Sequence, residues 1–179
     1  MKKFLPVDVS DFRTLIAGNY VYVDKTRMIY DLFKGGGRLF FLARPRRFGK
    51  TLLISTLAEL FAGNRELFKG LWIDSSDYSW EKHPVVSLDF STLDSSSPKQ
   101  FQEDLALEIE DKASHLGITL PEKGSVLRKI KTLVNELAKI NKVVILIDEY
   151  DYPIVDTISE PYASKLKNLK KLLCCYKRA

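Results

Sequence analysis

The sequence predicts an α/β fold, a three-layer sandwich in which helices cover a mostly parallel central sheet. Short apolar runs alternate with longer segments whose apolar residues recur at helical spacing. This alternation is typical of parallel strands joined by crossover helices. One apolar run also ends in two carboxylates, a position where open α/β sheets commonly bind ligands. At 179 residues, the chain is predicted to form one domain.

The predicted core strands are three apolar runs, at residues 39–43, 85–90 and 143–147. The third run is uninterrupted, as is typical of a central parallel strand that is buried on both faces.

Helical spacing predicts the elements between and around these strands. The predicted helices lie near residues 11–17, 25–34, 50–63, 98–116, 125–140 and 162–176. Asp24 is expected to cap the second helix through its carboxylate, because Asp is favoured immediately before a helix. In the helix at 98–116, the residues Phe101, Leu105, Ile109 and Ala113 are expected to face the core.

The positive charge of the chain is concentrated in its first third. Residues 1–51 carry 11 Lys and Arg against 4 Asp and Glu, whereas residues 52–151 carry 11 against 17. This basic region is either a phosphate pocket or a nucleic-acid surface. The pocket is the more economical interpretation, because four of the cations lie together at Arg44, Arg46, Arg47 and Lys50.

The sequence contains no feature that predicts export or membrane insertion. No apolar stretch approaches the roughly 20 residues that span a bilayer. The basic N-terminus is interrupted at once by Pro6 and Asp8, so we expect no signal peptide. The two cysteines, Cys174 and Cys175, are adjacent, and neighbouring cysteines make a poor structural disulfide. These features together predict a cytoplasmic protein.

The segment Gly49-Lys50-Thr51 follows the first predicted strand and opens a predicted helix. This is the setting of a phosphate-binding P-loop, or Walker A motif. Glycine would let backbone amides approach phosphate oxygens at a helix N-terminus. Lys50 would reach the β- and γ-phosphates, and the Thr51 hydroxyl would ligate Mg²⁺. The alternative is that Lys50 is a surface lysine at a helix start, but its flanking elements argue against that.

The loop departs from the general P-loop pattern, which has glycine at the position of Arg44. Pro45 presets part of the turn, and the arginines could touch phosphates directly. Arg46 and Arg47 are equally well explained as solvated side chains or as partners of the acidic middle of the chain. Both interpretations stay open.

Asp148 and Glu149 end the third predicted strand, as a Walker B pair would. Asp148 would hold the Mg²⁺ shell, and Glu149 would orient and deprotonate the attacking water. The alternative is that these carboxylates only cap a neighbouring helix. Asp89, at the end of the second strand, either faces the same site or caps a turn with Ser91.

Several short segments of the sequence resemble those of one family, the AAA-ATPase-like domain family of P-loop proteins. They are Tyr22-Val23-Asp24-Lys25-Thr26, Arg44-Pro45-Arg46-Arg47-Phe48-Gly49-Lys50-Thr51, Leu60-Phe61-Ala62-Gly63-Asn64, Leu67-Phe68-Lys69-Gly70-Leu71, Pro84-Val85-Val86-Ser87-Leu88-Asp89-Phe90 and Leu146-Ile147-Asp148-Glu149-Tyr150-Asp151. The resemblance spans about residues 4–176. It implies that the missing glycine is the family's own pattern.

The resemblance implies an ATPase that uses ATP and Mg²⁺. Its nucleotide-binding residues would be Arg46, Arg47, Phe48, Gly49, Lys50, Thr51 and Leu52. Thr51 and Asp148 would bind the metal, and Glu149 and Lys50 would be catalytic. The resemblance also implies a lead-in at residues 1–37, a nucleotide-binding core at residues 38–179, and a place for the segment 22–26 near the base or the closing edge of the site.

Members of the family are often longer and carry a C-terminal region similar to PD-(D/E)XK nucleases. This chain stops soon after its acidic strand, which predicts a truncated domain without the later strands and the sensor residue. Three functions therefore stay open. They are a Mg²⁺-dependent ATPase coupled to an absent effector, a non-catalytic remnant or interaction module, and a nucleic-acid-binding module. An oligomer or a complementing chain could supply the missing strand, and an absent nuclease-like region could contact nucleic acid.

Overall fold

The computed structural model describes residues 3–43, 45 and 47–152. The chain divides into two compact units, Met1–Val85 and Val86–Ala179. The predicted last helix, at residues 162–176, and both cysteines lie outside the described residues.

The first unit is built from short helices. Three α-helices are followed by two 3₁₀ turns, and their bounds are α1 (Phe12–Ala17), α2 (Thr26–Lys34), α3 (Lys50–Phe61), Arg65–Phe68 and Trp72–Ser75. All three α-helices were predicted, each within about two residues of its observed ends. Helix α1 packs on α3, and α2 packs on the second 3₁₀ turn.

A small apolar core holds the first unit together. Its buried hydrophobic residues are Phe12, Leu15, Ile29, Leu57, Leu60, Phe68 and Ile73. The rings of Phe12 and Phe68 lie 4.8 Å apart, which joins α1 to the first 3₁₀ turn. Burial of each such side chain stabilises the fold by roughly 1.5–3 kcal/mol. Because Leu57 and Leu60 of α3 belong to this core, it holds α3 in a fixed position within the first unit.

The predicted strand at residues 39–43 is wrong, because these residues have no regular secondary structure. All four apolar side chains from Leu39 to Leu42 are exposed, with between 37% and 59% of their surface accessible. The ring of Phe40 instead packs against Phe33 of α2 at 5.1 Å. A strand needs a hydrogen-bonded neighbour, and apolar composition alone does not supply one.

The second unit contains the sheet. Its two strands, β1 (Val85–Asp89) and β2 (Val144–Asp148), are neighbours and run parallel, and both were predicted. Two helices connect them, α4 (Pro98–His115) and α5 (Val126–Ala138), and these pack against each other. The described residues thus form a mixed α/β structure with a two-stranded parallel sheet. A larger three-layer sandwich stays a prediction.

The core of the second unit lies among these four elements. Helix α4 begins with Ser97 as its N-cap, and the Ser97 hydroxyl accepts the N–H of Gln100 at 3.1 Å. The predicted inward face of α4 is confirmed, because the residues at that helical spacing are buried. The cluster comprises Val86, Leu88, Phe90, Leu93, Phe101, Leu105, Ile109, Ala113, Leu133, Leu137 and Val143.

Each helix of the described residues is either too short or too polar to cross a membrane.

Candidate functional site

Helix α3 begins at the P-loop segment. Gly49 is its N-cap and adopts the left-handed conformation, with φ 72° and ψ 30°. Glycine takes this conformation without the cost that a Cβ would impose. The first hydrogen bond of the helix runs from the N–H of Leu53 to the carbonyl of Gly49 at 3.0 Å. The amides N-terminal to it have no acceptor within the helix, which is how helix N-termini bind anions.

The loop before α3 has a second left-handed residue, Arg47, with φ 65°. Arg47 and Phe48 are exposed, and 63% of the Phe48 surface is accessible. Alternation of left-handed residues directs successive backbone N–H groups toward one side, as in an anion-binding nest. Arg46, which was also predicted to bind nucleotide, lies outside the described residues.

The three site residues of the first helical turn differ in exposure. Thr51 is exposed, whereas Lys50 and Leu52 are half-buried. An ideal Cβ on Gly49 would meet nothing within 4 Å, so the space above the loop is open. The structure therefore places residues 47–52 in one loop and helix start, with open space beside Gly49.

Hydrogen bonds and ion pairs hold α3 in place behind this loop. The buried Thr56 donates to the carbonyl of Leu52 at 2.7 Å. Further along α3, Glu59 receives both a bidentate pair from Arg13, at 2.8 and 2.9 Å, and the amide of Asn64 at 2.5 Å. Bidentate Arg–carboxylate pairs fix geometry as well as charge, so α1 orients α3.

The segment at residues 22–26 has a structural role in the first unit. Asp24 accepts the N–H and hydroxyl of Thr26 at 2.8 and 2.7 Å, and its other oxygen accepts the N–H of Trp72 at 2.7 Å. The Thr26 hydroxyl, which is fully buried, accepts the N–H of Ile73 at 3.1 Å. These bonds attach the start of α2 to the second 3₁₀ turn. Burial raises the pKa of Tyr22, which also bonds Thr56.

The acidic pair ends β2 in the second unit. Asp148 is buried, with 7% of its surface accessible, and its Oδ1 accepts the N–H of Glu149 at 3.0 Å. Glu149 adopts the left-handed conformation, with φ 47°, and its carbonyl accepts the N–H of Tyr152 at 2.9 Å. A non-glycine residue rarely adopts this conformation, and such strain is concentrated at functional sites.

Asp89, at the end of β1, is a turn cap. Its Oδ1 accepts both the N–H of Ser91 at 2.9 Å and the Ser91 hydroxyl at 2.7 Å. Of the two roles left open for Asp89, the structural one is therefore observed. The pattern is an Asx turn, in which a carboxylate bonds the backbone two residues on.

The donor chemistry of the predicted metal residues fits Mg²⁺. A hydroxyl on Thr51 and a carboxylate on Asp148 are hard oxygen ligands, which this ion prefers. Among the described residues, no group of three or more His, Cys, Asp or Glu side chains converges as a ready ligand set. Mg²⁺ commonly binds through one or two carboxylates plus phosphates and water.

Comparison with known proteins identifies the class. The family model described as AAA-ATPase_like, predicted AAA-ATPase, matches residues 6–178. The chain therefore belongs to the AAA-ATPase-like family, as its motifs predicted.

Among curated proteins, it is similar to the "Uncharacterized protein in vnfD 5'region" of Azotobacter chroococcum mcd 1, with 36% identity over 185 residues. That match covers 96% of this chain and 34% of the relative, so the chain spans about a third of the relative's length. No solved structure matched the chain.

Proposed function

We propose that this protein binds ATP with Mg²⁺ at the N-terminus of α3 and belongs to an ATPase that couples turnover to an effector region. One observation carries the proposal: α3 starts at Gly49-Lys50-Thr51, with Gly49 left-handed and the space above it open. Family membership supports nucleotide binding in general. The helix N-terminus and its outward amides supply the physical reason for phosphate to bind there.

The P-loop residues then take distinct roles. The backbone N–H groups of residues 49–52 donate hydrogen bonds to the β-phosphate oxygens, and the ammonium of Lys50 balances the charge of those oxygens. From the sequence pattern, Arg46 and Arg47 are assigned to charge balance on the phosphates, and Phe48 belongs to the same loop. Thr51 Oγ1 is the hydroxyl ligand of the metal. When bound, Mg²⁺ neutralises charge on the β- and γ-phosphate oxygens.

The acidic pair supplies the remaining roles, which we assign from the sequence pattern. Asp148 holds water of the metal shell, and Glu149 orients the attacking water and accepts its proton. Glu149 also has a left-handed backbone, which it shares with Asp8, Asn19, Arg47 and Trp80, so the assignment rests on the sequence pattern.

One observation favours binding without turnover by these residues alone. The segment 39–43 that leads into the P-loop is irregular, and its apolar side chains are exposed. A P-loop without a paired strand behind it could bind nucleotide yet position it poorly for hydrolysis. Binding and hydrolysis are therefore tested separately.

The first test is thermal melting with and without Mg-ATP. Wild type is compared with Lys50→Ala and with Lys99→Ala, a control in the first turn of α4 where Lys99 forms a surface ion pair with Glu103. ATP at 100 times its Kd is expected to add about 2.7 kcal/mol of stability to wild type and to Lys99→Ala. Lys50→Ala is expected to lose this shift.

Equal shifts in all three proteins would place the nucleotide elsewhere, and no shift in any would refute ATP binding. Hydrolysis is then measured as phosphate release by wild type and Glu149→Gln. Binding without release in either protein would favour the non-catalytic alternative.

A further inference from the structure

One face of α3 carries both a predicted metal ligand and contacts with α1. Thr51, Ser55 and Glu59 follow one another at intervals of four residues, so they share a face of the helix. Ser55 bonds Asp11, the N-cap of α1, and Glu59 bonds Arg13 of the same helix. The attachment of α3 to α1 therefore begins one helical turn after the hydroxyl that we assign to the metal.

The attachment nearest to the P-loop joins Ser55 to Asp11. The Ser55 hydroxyl donates to Asp11 Oδ2 at 2.9 Å and accepts the N–H of Phe12 at 2.8 Å. The other oxygen of Asp11 caps α1 by accepting the N–H of Thr14 at 2.7 Å. Asp11 thus bonds both helices at once, with one carboxylate oxygen for each.

The start of α1 is itself anchored in the core of the first unit. Phe12, which follows Asp11, is fully buried. Its ring lies 4.8 Å from the ring of Phe68 and 5.1 Å from the ring of Tyr22. Closely packed aromatic side chains of this kind have little room to move. Ser55 is therefore bonded to a well-fixed part of the unit.

The chain on the other side of the P-loop is irregular. Residues 39–43 form no strand, and the apolar side chains from Leu39 to Leu42 are exposed. A strand at this place would hold the loop through its ladder of hydrogen bonds. Phosphate binding is sensitive to small displacements, because each backbone N–H must lie within hydrogen-bond distance of an oxygen. The position of Lys50 and Thr51 then depends on contacts made further along α3.

We propose that Asp11 and Ser55 are positioning residues of the ATP site, whose hydrogen bond holds the first two turns of α3 in the position that binds phosphate. This inference rests on the proposed function and extends the site beyond the P-loop. Both residues act through the helix and do not touch the nucleotide. Without their bond, ATP has to restore the order of the helix start when it binds, which lowers its affinity.

The test measures the Kd of a fluorescent ATP analogue with Mg²⁺, below the melting transition of each variant of the full chain. Ser55→Ala removes the hydroxyl, and Ser55→Thr keeps one. Asp11→Ser retains one oxygen to cap α1 but lacks the second oxygen, which bonds Ser55. Gly70→Ala is the control for loss of stability, since Gly70 has φ 78° and belongs to neither α1 nor α3.

Ser55→Ala and Asp11→Ser are each expected to raise the Kd about three- to fivefold, the range that the loss of one hydrogen bond allows. The double variant should raise it about as much as Ser55→Ala alone, because both changes remove the same bond. Ser55→Thr and Gly70→Ala should keep the wild-type Kd. A merely structural role would lower the melting temperature and leave the Kd of the folded protein unchanged.

Other outcomes separate the two proposals. A wild-type Kd in both Ser55→Ala and Asp11→Ser would overturn the inference and leave ATP binding intact. So would effects that multiply in the double variant, or an equal rise of the Kd in Gly70→Ala. If Asp11→Ser fails to melt cooperatively, the difference between Ser55→Ala and Ser55→Thr decides in the same way. Absence of ATP binding by wild type would overturn the proposed function and this inference with it.

Discussion

The hydroxyl of Ser55, on the second turn of α3, donates to Asp11 Oδ2 at 2.9 Å and accepts the N–H of Phe12 at 2.8 Å. Asp11 is the N-cap of α1, and its Oδ1 accepts the N–H of Thr14 at 2.7 Å. One serine thus joins the capped start of α1 to the helix that begins at the P-loop. The orientation of that helix depends on a residue outside the nucleotide motif.

We predict that Ser55→Ala destabilises the protein by about 1 kcal/mol, because it removes two hydrogen bonds of a partly buried hydroxyl. Urea unfolding at pH 7 measures the change. Ser114→Ala, at an exposed position of α4, is the control for the higher helix propensity of alanine. An equal change in the two variants would show that the Ser55–Asp11 bond contributes nothing to stability.

The bonds of Asp24 predict a pH dependence of stability. Burial opposes ionisation, but the N–H groups of Trp72 and Thr26 outweigh it and lower the pKa of Asp24 from its ordinary 3.8. The folded pKa is thus below the unfolded one. The stabilisation is present above about pH 4 and is lost as the pH falls through the folded pKa.

Asp24→Asn is therefore expected to cost about 1–2 kcal/mol at pH 7 and less at pH 3, where the unfolded carboxyl is mostly protonated. Urea unfolding at both pH values checks this, with Asp31→Asn on the exposed side of α2 as control. A cost that is the same at both pH values would show that the negative charge of Asp24 does not stabilise the folded state.

Gly49 offers a test that separates backbone strain from ligand binding. Gly49→Ala meets no neighbour but forces alanine to φ 72°, at a cost of about 1–2 kcal/mol. Gly70→Ala is matched to it, because Gly70 has φ 78° and equally open surroundings. We predict similar loss of stability in both variants, and a loss of the Mg-ATP shift in melting temperature only in Gly49→Ala. Equal retention of that shift would argue against the P-loop as the ATP site.

The helical spacing of apolar residues correctly predicted the elements that pack against neighbouring elements of the same unit. The spacing of Phe101, Leu105 and Ile109 predicted both the extent and the inward face of α4, because that face packs on the strands beside it. Asp24 was predicted as the N-cap of α2, but the N-cap is Lys25 and the helix begins at Thr26. The Asp24 carboxylate still accepts the N–H of Thr26, two residues further on.

The predictions that failed depend on partners that a sequence window does not specify. The run at 39–43 has strand composition, but its pairing depends on a neighbour elsewhere, and it is irregular. Leu32 of α2 lies three residues after the buried Ile29, a helical spacing that predicts a shared inward face, yet half of its surface is accessible. Likewise, motif spacing predicted Lys50 and Asp148 as site residues, whereas the left-handed backbone of Glu149 and the bond between Ser55 and Asp11 needed the three-dimensional structure to be found.

The left-handed backbone of Glu149 predicts that relieving its strain raises the stability of the protein, while loss of the carboxylate abolishes ATP hydrolysis. Glu149→Gly relieves the left-handed conformation and is expected to stabilise the protein by up to about 1 kcal/mol, while abolishing hydrolysis. Glu149→Gln keeps the conformational cost and should lose hydrolysis at wild-type stability. Asn19→Gly, at φ 53°, is the control for relief of strain away from the acidic turn. Thermal melting and phosphate release are measured together, and Glu149→Gly with full turnover would remove Glu149 as the base.

The ion pair of Lys129 and Glu110 joins α5 to α4 and predicts an asymmetric response to mutation. Lys129 is buried, whereas 42% of the Glu110 side chain is accessible. Glu110→Gln leaves a buried ammonium without its counter-ion, and we expect it to cost about 1–3 kcal/mol. Lys129→Met fills the same space with apolar atoms while the exposed Glu110 rehydrates, so its effect should be close to zero or stabilising. Urea unfolding of both variants measures the two changes in stability. A larger loss in Lys129→Met than in Glu110→Gln would show that the attraction between the charges exceeds the cost of burying the lysine.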